Sequence, residues 1–215
     1  EDYFKYPRTE KRDIQKLTNE KYDILFIPIN KNEVFPEYEE LKKIESGKLG
    51  DELCGKIRPG HFNGVLTVVN KIFEIIKPDI AIFGAKDYQQ QILIKQMAKN
   101  LHPSLSLLKA PIIRSKNGVA LSSRNNYLSE KEIKLASNLF KCLENSVRSY
   151  KKNIRLCEII ENAKKFLISK NLNPDYFELR DSKLNSINDN NFNGKKIFLS
   201  SVNINNTRLI DNIEF

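Results

Sequence analysis

The sequence predicts an α/β fold: a doubly wound parallel sheet followed by a small α+β unit. Three observations predict it. Ile80-Ala81-Ile82-Phe83 is a wholly apolar run of the kind found inside a parallel sheet. Helical patterns flank that run on both sides, and a further strand pattern at Leu105–Leu108 follows the second helix. After Arg114 the alternation stops, and two helical patterns are followed by three strand patterns. The boundary is expected near residues 113–116, giving domains 1–113 and 114–215.

Taken in order, Pro7 to Lys21 reads as a short solvated helix, with Ile14 and Leu17 among charges. Asp23-Ile24-Leu25-Phe26-Ile27-Pro28 reads as a buried strand ended by proline. Glu33 to Pro59 is a long irregular stretch containing Gly47, Gly50 and Gly55, and a stretch of that kind is more often functional than filler. Val65 to Ile76 places apolar residues on nearly every face, which predicts a helix buried on several sides and stopped by Lys77-Pro78. The apolar strand and Gly84 come next, then a helix carrying Ile92, Leu93, Met97 and Leu101. Beyond the boundary, Ser129 and Glu132 form a capping box for a helix with Ala136, Leu139, Phe140, Leu143 and Val147 inward. A second helix turns Ile159, Ile160, Ala163, Phe166 and Leu167 inward. Strands are expected at Tyr176–Leu179, Ile197–Ile204 and Arg208–Ile213.

The bulk numbers bound the class. With 215 residues, 40% hydrophobic, the chain can bury a core of one large or two small domains. The lone methionine is Met97, so Glu1 is read as a processed start or the edge of a fragment. No apolar run reaches membrane length and no leader pattern opens the chain, so a soluble protein without a membrane partner is expected. Cys54, Cys142 and Cys157 show no metal spacing and read as reduced thiols, which suits the cytoplasm. The net charge of +9 suits an anionic partner. The lysines are dispersed and no basic block with interleaved aromatics occurs, so nucleic acid is not the expected one.

Residues that can carry chemistry cluster in three places. Gly84-Ala85-Lys86-Asp87 lies between a strand and a helix, at the carboxyl edge of the sheet where α/β proteins bind ligands. A helix N-terminus there offers N–H groups to phosphate, Lys86 can meet a phosphate, and Asp87 can accept from ribose hydroxyls. The alternative is a plain turn with Asp87 as helix cap. Gln90, three residues on, falls one turn along the same face. Leu121-Ser122-Ser123-Arg124-Asn125 sets two hydroxyls and a guanidinium in a row, a pattern that can wrap a triphosphate. A loop merely preceding the Ser129 cap is the alternative there. Arg58-Pro59-Gly60-His61-Phe62 ends the long loop, and His61 beside Arg58 reads either as an anion contact or as structural. His102, before a proline at a helix end, reads as a cap.

Read together, these segments resemble the pantothenate synthetase family, the pantoate–β-alanine ligases. The matching runs, in family order, begin with Glu1-Asp2, Lys5-Tyr6-Pro7-Arg8-Thr9 and Arg58-Pro59-Gly60-His61-Phe62. Gly64-Val65, Thr67-Val68-Val69, Phe83-Gly84 and Lys86-Asp87-Tyr88-Gln89-Gln90 follow. Leu121 to Asn125 with Tyr127-Leu128, and Thr207-Arg208-Leu209-Ile210-Asp211-Asn212, complete the set. The resemblance implies a Rossmann-like nucleotidyl transferase domain, incomplete at its N-terminus, with a small C-terminal lid. It implies ATP contacts at Gly84, Ala85, Lys86, Asp87, Ile113, Leu121, Ser122, Ser123 and Arg124. Pantoate contacts fall at Gln90, His61 and Arg58, and the phosphate chemistry at Lys86 and Arg124. Mg²⁺, β-alanine as second substrate and a homodimer come with it. Two departures stand out. Ala85 occupies a position that is usually glutamate in the family. The family's His-x-Gly-His motif, and a glutamine that helps hold pantoate, would lie upstream of Glu1. Arg12 precedes Asp13 where the family has acidic residues near its metal, so no metal ligand is assigned.

Overall fold

The computed structural model describes residues 9–36, 42–188 and 192–215. The run from Glu1 to Arg8, and the part of the long loop from 37 to 41, lie outside the described residues. The chain divides into two compact units, Glu1–Leu41 and Lys42–Phe215.

In the first unit, helix α1 spans Glu10–Asn19 and buries none of its residues, as its charge-rich sequence implies. The stretch expected to be a buried strand is not one. Residues 23–28 join no sheet, and Ile24 is 89% exposed. An apolar run becomes a strand only when a neighbour satisfies its backbone groups, and the described residues of this unit contain no second strand.

In the second unit, the stretch before Pro59 is not wholly irregular. It holds a 3₁₀ turn at Lys48–Asp51 and the short helix α2, Cys54–Ile57. Gly55 is required there, because a Cβ would fall 1.7 Å from the Gly50 carbonyl oxygen. Helix α3, His61–Ile76, starts four residues before its apolar pattern does. Strand β1, Ile80–Gly84, leads through a 3₁₀ turn at Ala85–Asp87 into helix α4, Tyr88–Leu101, and strand β2, Ser106–Ala110, pairs parallel with β1. Phe62, Leu66 and Phe73 of α3 pack with Leu93, Ile94, Met97 and Ala98 of α4 over Ala81, Phe83 and Leu107. Both helices thus cover one face of the pair. Ile80 and Ile82 point the other way and are 57% and 65% exposed, so β1 is buried on one face and not on both. Alternate side chains of a strand point to opposite faces, and one helical layer buries only half of them.

The remainder follows the sequence pattern closely. Helix α5, Glu130–Lys151, opens with the expected capping box: the Ser129 hydroxyl accepts from the Glu132 amide, and Glu132 accepts from the Ser129 amide. Helix α6 spans Leu156–Ser169. Strands β3, Asn173–Asp181, β4, Lys196–Ile204, and β5, Thr207–Glu214, form an antiparallel sheet with β4 in the middle. One sheet face, with Phe177, Phe198 and Val202, packs on Leu139, Leu143, Ile159 and Leu167 of the two helices. The other face turns Tyr176 and Ile210 toward the α3–α4 core, and Ile197 and Leu199 toward Leu53 and Tyr88. This second contact sets the C-terminal sheet against the end of β1 where the site forms.

Candidate active site

The carboxyl end of β1 and the N-terminus of α4 open into a solvent-facing cavity of about 50 Å³. Arg58, His61, Lys86, Asp87, Gln90 and Arg124 all line it. Segments far apart in sequence therefore meet, Arg58 and Arg124 among them. Gly84, Ala85, Ile113, Leu121, Ser122 and Ser123 stand outside that lining. Ala85 is buried behind the turn. Ile113 and Leu121 are exposed side chains whose backbones pair, the Leu121 amide donating to the Ile113 carbonyl. The Ser122 hydroxyl accepts from the Arg124 amide and so caps the 3₁₀ turn Ser123–Tyr127. Gly84 has an extended backbone that any residue adopts, and a Cβ there would meet no atom within 4 Å.

The local geometry separates ligand-facing groups from scaffold. Asp87 occupies the N-cap position of α4, yet its side chain makes no capping hydrogen bond. The carboxylate is exposed at the cavity instead. The adjacent glutamines differ. Gln89 is buried, donates through Nε2 to the Leu49 and Glu52 carbonyls at 2.8 Å each, and accepts from the Cys54 amide at 3.1 Å. Gln90 is half-buried and lines the cavity. Arg58 Nη1 lies 2.7 Å from His61 Nε2. Arginine only donates, so Nε2 accepts and the imidazole proton sits on Nδ1. His102, by contrast, faces Asn70 at 2.8 Å at the end of α4, a structural pairing.

The far wall comes from the C-terminal sheet, and local sequence reasoning did not assign it. Tyr176 and Arg208 line the cavity together with Asp211 and Asn212. Burial pushes the Cys54 thiol up, against the opposing effect of its contact with Tyr176 at 3.1 Å. Burial and the same contact push the Tyr176 phenol up. Both groups are therefore neutral, and Cys54 has no thiolate character to act as a nucleophile. Asp211 is pushed up by burial and pulled back by Arg114, whose guanidinium meets both its oxygens at 2.6 and 2.9 Å. The lining brings together Arg58, Lys86, Arg124 and Arg208 with the carboxylates Asp87 and Asp211, the second of them held by Arg114. Such a wall suits a polyanion seated at a helix N-terminus. Among the described residues, no three His, Cys, Asp or Glu side chains converge as a metal cage.

The model of the Pantoate-beta-alanine ligase family matches residues 1–214. The chain belongs to that family. It is similar to the pantothenate synthetase of Shewanella woodyi, 40% identical over all of this chain and 76% of the relative. It is also similar to that of Ruthia magnifica, 42% identical over all of this chain and 76% of that protein. The crystal structure of pantothenate synthetase from Thermus thermophilus superposes with a TM-score of 0.91 at 32% identity, covering 99% of this chain and 77% of that one. A Francisella tularensis pantoate-beta-alanine ligase, complexed with beta-gamma ATP and beta-alanine, gives 0.78 at 31%, covering 99% and 72%. The signal for the far wall was present in the sequence as the run from Thr207 to Asn212, which carried the family likeness without an assigned task. Among the described residues, no helix is long and apolar enough to cross a membrane.

Proposed function

We propose that the chain condenses pantoate with β-alanine at the expense of ATP, through a pantoyl adenylate, with AMP and pyrophosphate as the other products. The observation that carries this reading is the convergence of Lys86 and Arg124 with Arg58, His61 and Gln90 in one cavity at the N-terminus of α4. In the first step the pantoate carboxylate attacks the α-phosphorus and pyrophosphate departs. Charge accumulates on phosphoryl oxygens, and fixed cations lower its energy. Lys86 and Arg124 supply them. Gln90, with Arg58 and His61, holds pantoate in line. In the second step the β-alanine amine attacks the adenylate carbonyl, and AMP leaves with its phosphate oxygens still facing those cations. No covalent bond to the chain is needed, which agrees with a protonated Cys54.

Mg²⁺ would enter this reading as a companion of ATP, sharing the charge that develops on the phosphoryl oxygens, with Asp87 the carboxylate of the lining that could face it. Residues 114–215 act as the lid and 1–113 as the nucleotide-binding part. The Gly84–Asp87 turn, Ile113 and the Leu121–Arg124 loop meet ATP when the lid closes. A homodimer and a cytoplasmic location follow from the family likeness, and sedimentation and cell fractionation test them. The decisive measurement is pantoate-dependent exchange of labelled pyrophosphate into ATP. Lys86→Ala is expected to lower that exchange by roughly 10²–10³. Pantoate affinity is expected to stay within about threefold. Loss of pantoate binding with exchange intact would reverse the assignment of Lys86. Hydrogen exchange over residues 118–130 checks the lid: an ATP analogue should protect them, and Arg124→Ala should remove the protection.

A further inference from the structure

The turn that carries Lys86 is held from outside its own segment. Asn212 on β5 donates through Nδ2 to the Ala85 carbonyl at 2.9 Å and to the Lys86 carbonyl at 3.0 Å. Asn212 is buried, at 4% exposure, and stands 126 residues from Lys86 in sequence. Both partners are acceptors, so only the NH₂ end of the amide can face them, and each of its two hydrogens has one carbonyl to meet. The backbone of Asn212 is itself fixed. Its amide donates to Asp211 Oδ1 at 2.8 Å and its carbonyl accepts from Arg114 Nη2 at 3.2 Å.

The same node reaches the second segment read as phosphate-binding. Arg114 grips Asp211 with two hydrogen bonds and also donates to the Gly118 carbonyl at 3.1 Å. Its guanidinium lies 3.7 Å over the Phe140 ring. Gly118 is needed at that bend, because its φ is +85° and a Cβ would sit 3.0 Å from Phe140 Cδ1. The 114–120 bend closes with the Arg114–Ala120 bridge and delivers the chain to Ser122–Arg124. Two adjacent residues of β5 thus hold both the Lys86 turn and the approach to Arg124.

We propose that Asn212 is a positioning residue for the phosphate chemistry: by holding the Ala85 and Lys86 carbonyls it sets where the Lys86 ammonium meets the α-phosphate. Asp211 and Arg114 hold the bend that leads to Arg124 to the same strand. The proposal rests on the ligase reading, since Lys86 must act on ATP for its placement to matter. Asn212→Asp is the sharp variant, because it keeps the size and sets carboxylate oxygens against two carbonyls. Asn212→Ala and Asn212→Ser remove the donors without the added charge, and serve if the aspartate variant does not fold.

The experiment is pantoate-dependent ATP–pyrophosphate exchange for the unaltered enzyme, each Asn212 variant, Lys86→Ala, and the doubles of Lys86→Ala with each Asn212 variant. Direct pantoate titration and amide hydrogen exchange accompany it. A displacement of order 1 Å can cost roughly 10²-fold, so the turnover of exchange should fall by about 10–100-fold in Asn212→Asp. Pantoate affinity should move by less than about threefold. Amides 84–88 should exchange faster while those of β4 do not. Each double variant should be no slower than Lys86→Ala alone, because a residue that acts through Lys86 has nothing left to place. Additive losses in the doubles, or unchanged exchange in all Asn212 variants, would overturn the positioning role. Absence of pyrophosphate exchange in the unaltered enzyme would instead overturn the ligase reading, and this proposal with it.

Discussion

Strand β1 is apolar from Ile80 to Phe83, yet Ile80 and Ile82 are more than half exposed, whereas β4 carries Ser200 and Ser201 at its centre and buries both completely. The two serines are satisfied. Ser200 donates to the Tyr176 carbonyl at 2.9 Å, and Ser201 donates to the Asp175 carboxylate at 2.7 Å. Burying a hydroxyl costs little once it is hydrogen-bonded. What separates the strands is layering. β4 sits between helices on one face and the α3–α4 half on the other, while β1 has helices on one face among the described residues. The more polar strand is the structural one, and the more apolar strand ends in the ligand-facing turn.

Substitutions test that contrast. Phe198 on β4 is fully buried, stacks on Phe215 with centroids 5.6 Å apart, and meets Phe177 at the same distance. Phe198→Ala should destabilise the fold by about 3–5 kcal/mol in denaturant titration. A loss under about 1 kcal/mol would mean that β4 is less enclosed than its neighbours imply. Ser129→Ala, which removes the cap of α5, should cost about 1 kcal/mol. It should also change the pH profile. The Ser129 hydroxyl and amide hold the Glu132 carboxyl below the usual range, with Asn205 adding to the effect. A carboxylate with a depressed folded value adds stability above its ordinary range, and that stability is lost as pH falls through the folded value. The acid-side slope should therefore be shallower in Ser129→Ala. Ile82→Thr should be the mildest, within about 0.5 kcal/mol, because the exposed face of β1 has little to lose. A cost well above that would reveal a cover on this face.

These contrasts also mark where the sequence was legible. Every element whose pattern depends on its own neighbours was found: the Ser129–Glu132 box, the α5 and α6 core faces, and three C-terminal strands placed to within a few residues. The turn at Gly84–Asp87 was legible too, because a strand ending in glycine before a helix is a local signature. Burial of β1 was not, since it depends on how many layers the sheet receives. Residues 23–28 misled for a related reason: hydrophobicity and a closing proline describe a strand only if a partner exists. Asn212 and Arg208 lay in a run that carried the family likeness, but their place at the site, like that of Tyr176, was not legible for another reason. Each enters the cavity by a return of the chain over roughly a hundred residues, and no spacing rule spans such a return.

Gln89 has a consequence for anyone who would redesign this protein. The bend from Leu49 to Cys54 is fastened to α4 by that one side chain, through two carbonyls and one amide of the main chain. Main-chain groups are the same whatever residues carry them. The identity of the exposed Asp51 is thus free to vary, while the length and path of the bend, and the buried Gly50, Leu53 and Cys54, are not. A graft from a relative should be accepted when it keeps the number of residues between Leu49 and Cys54, the glycine at 50, and the Glu52 carboxylate that meets Arg180. A deletion of a single residue there would leave an amide buried with nothing to hold.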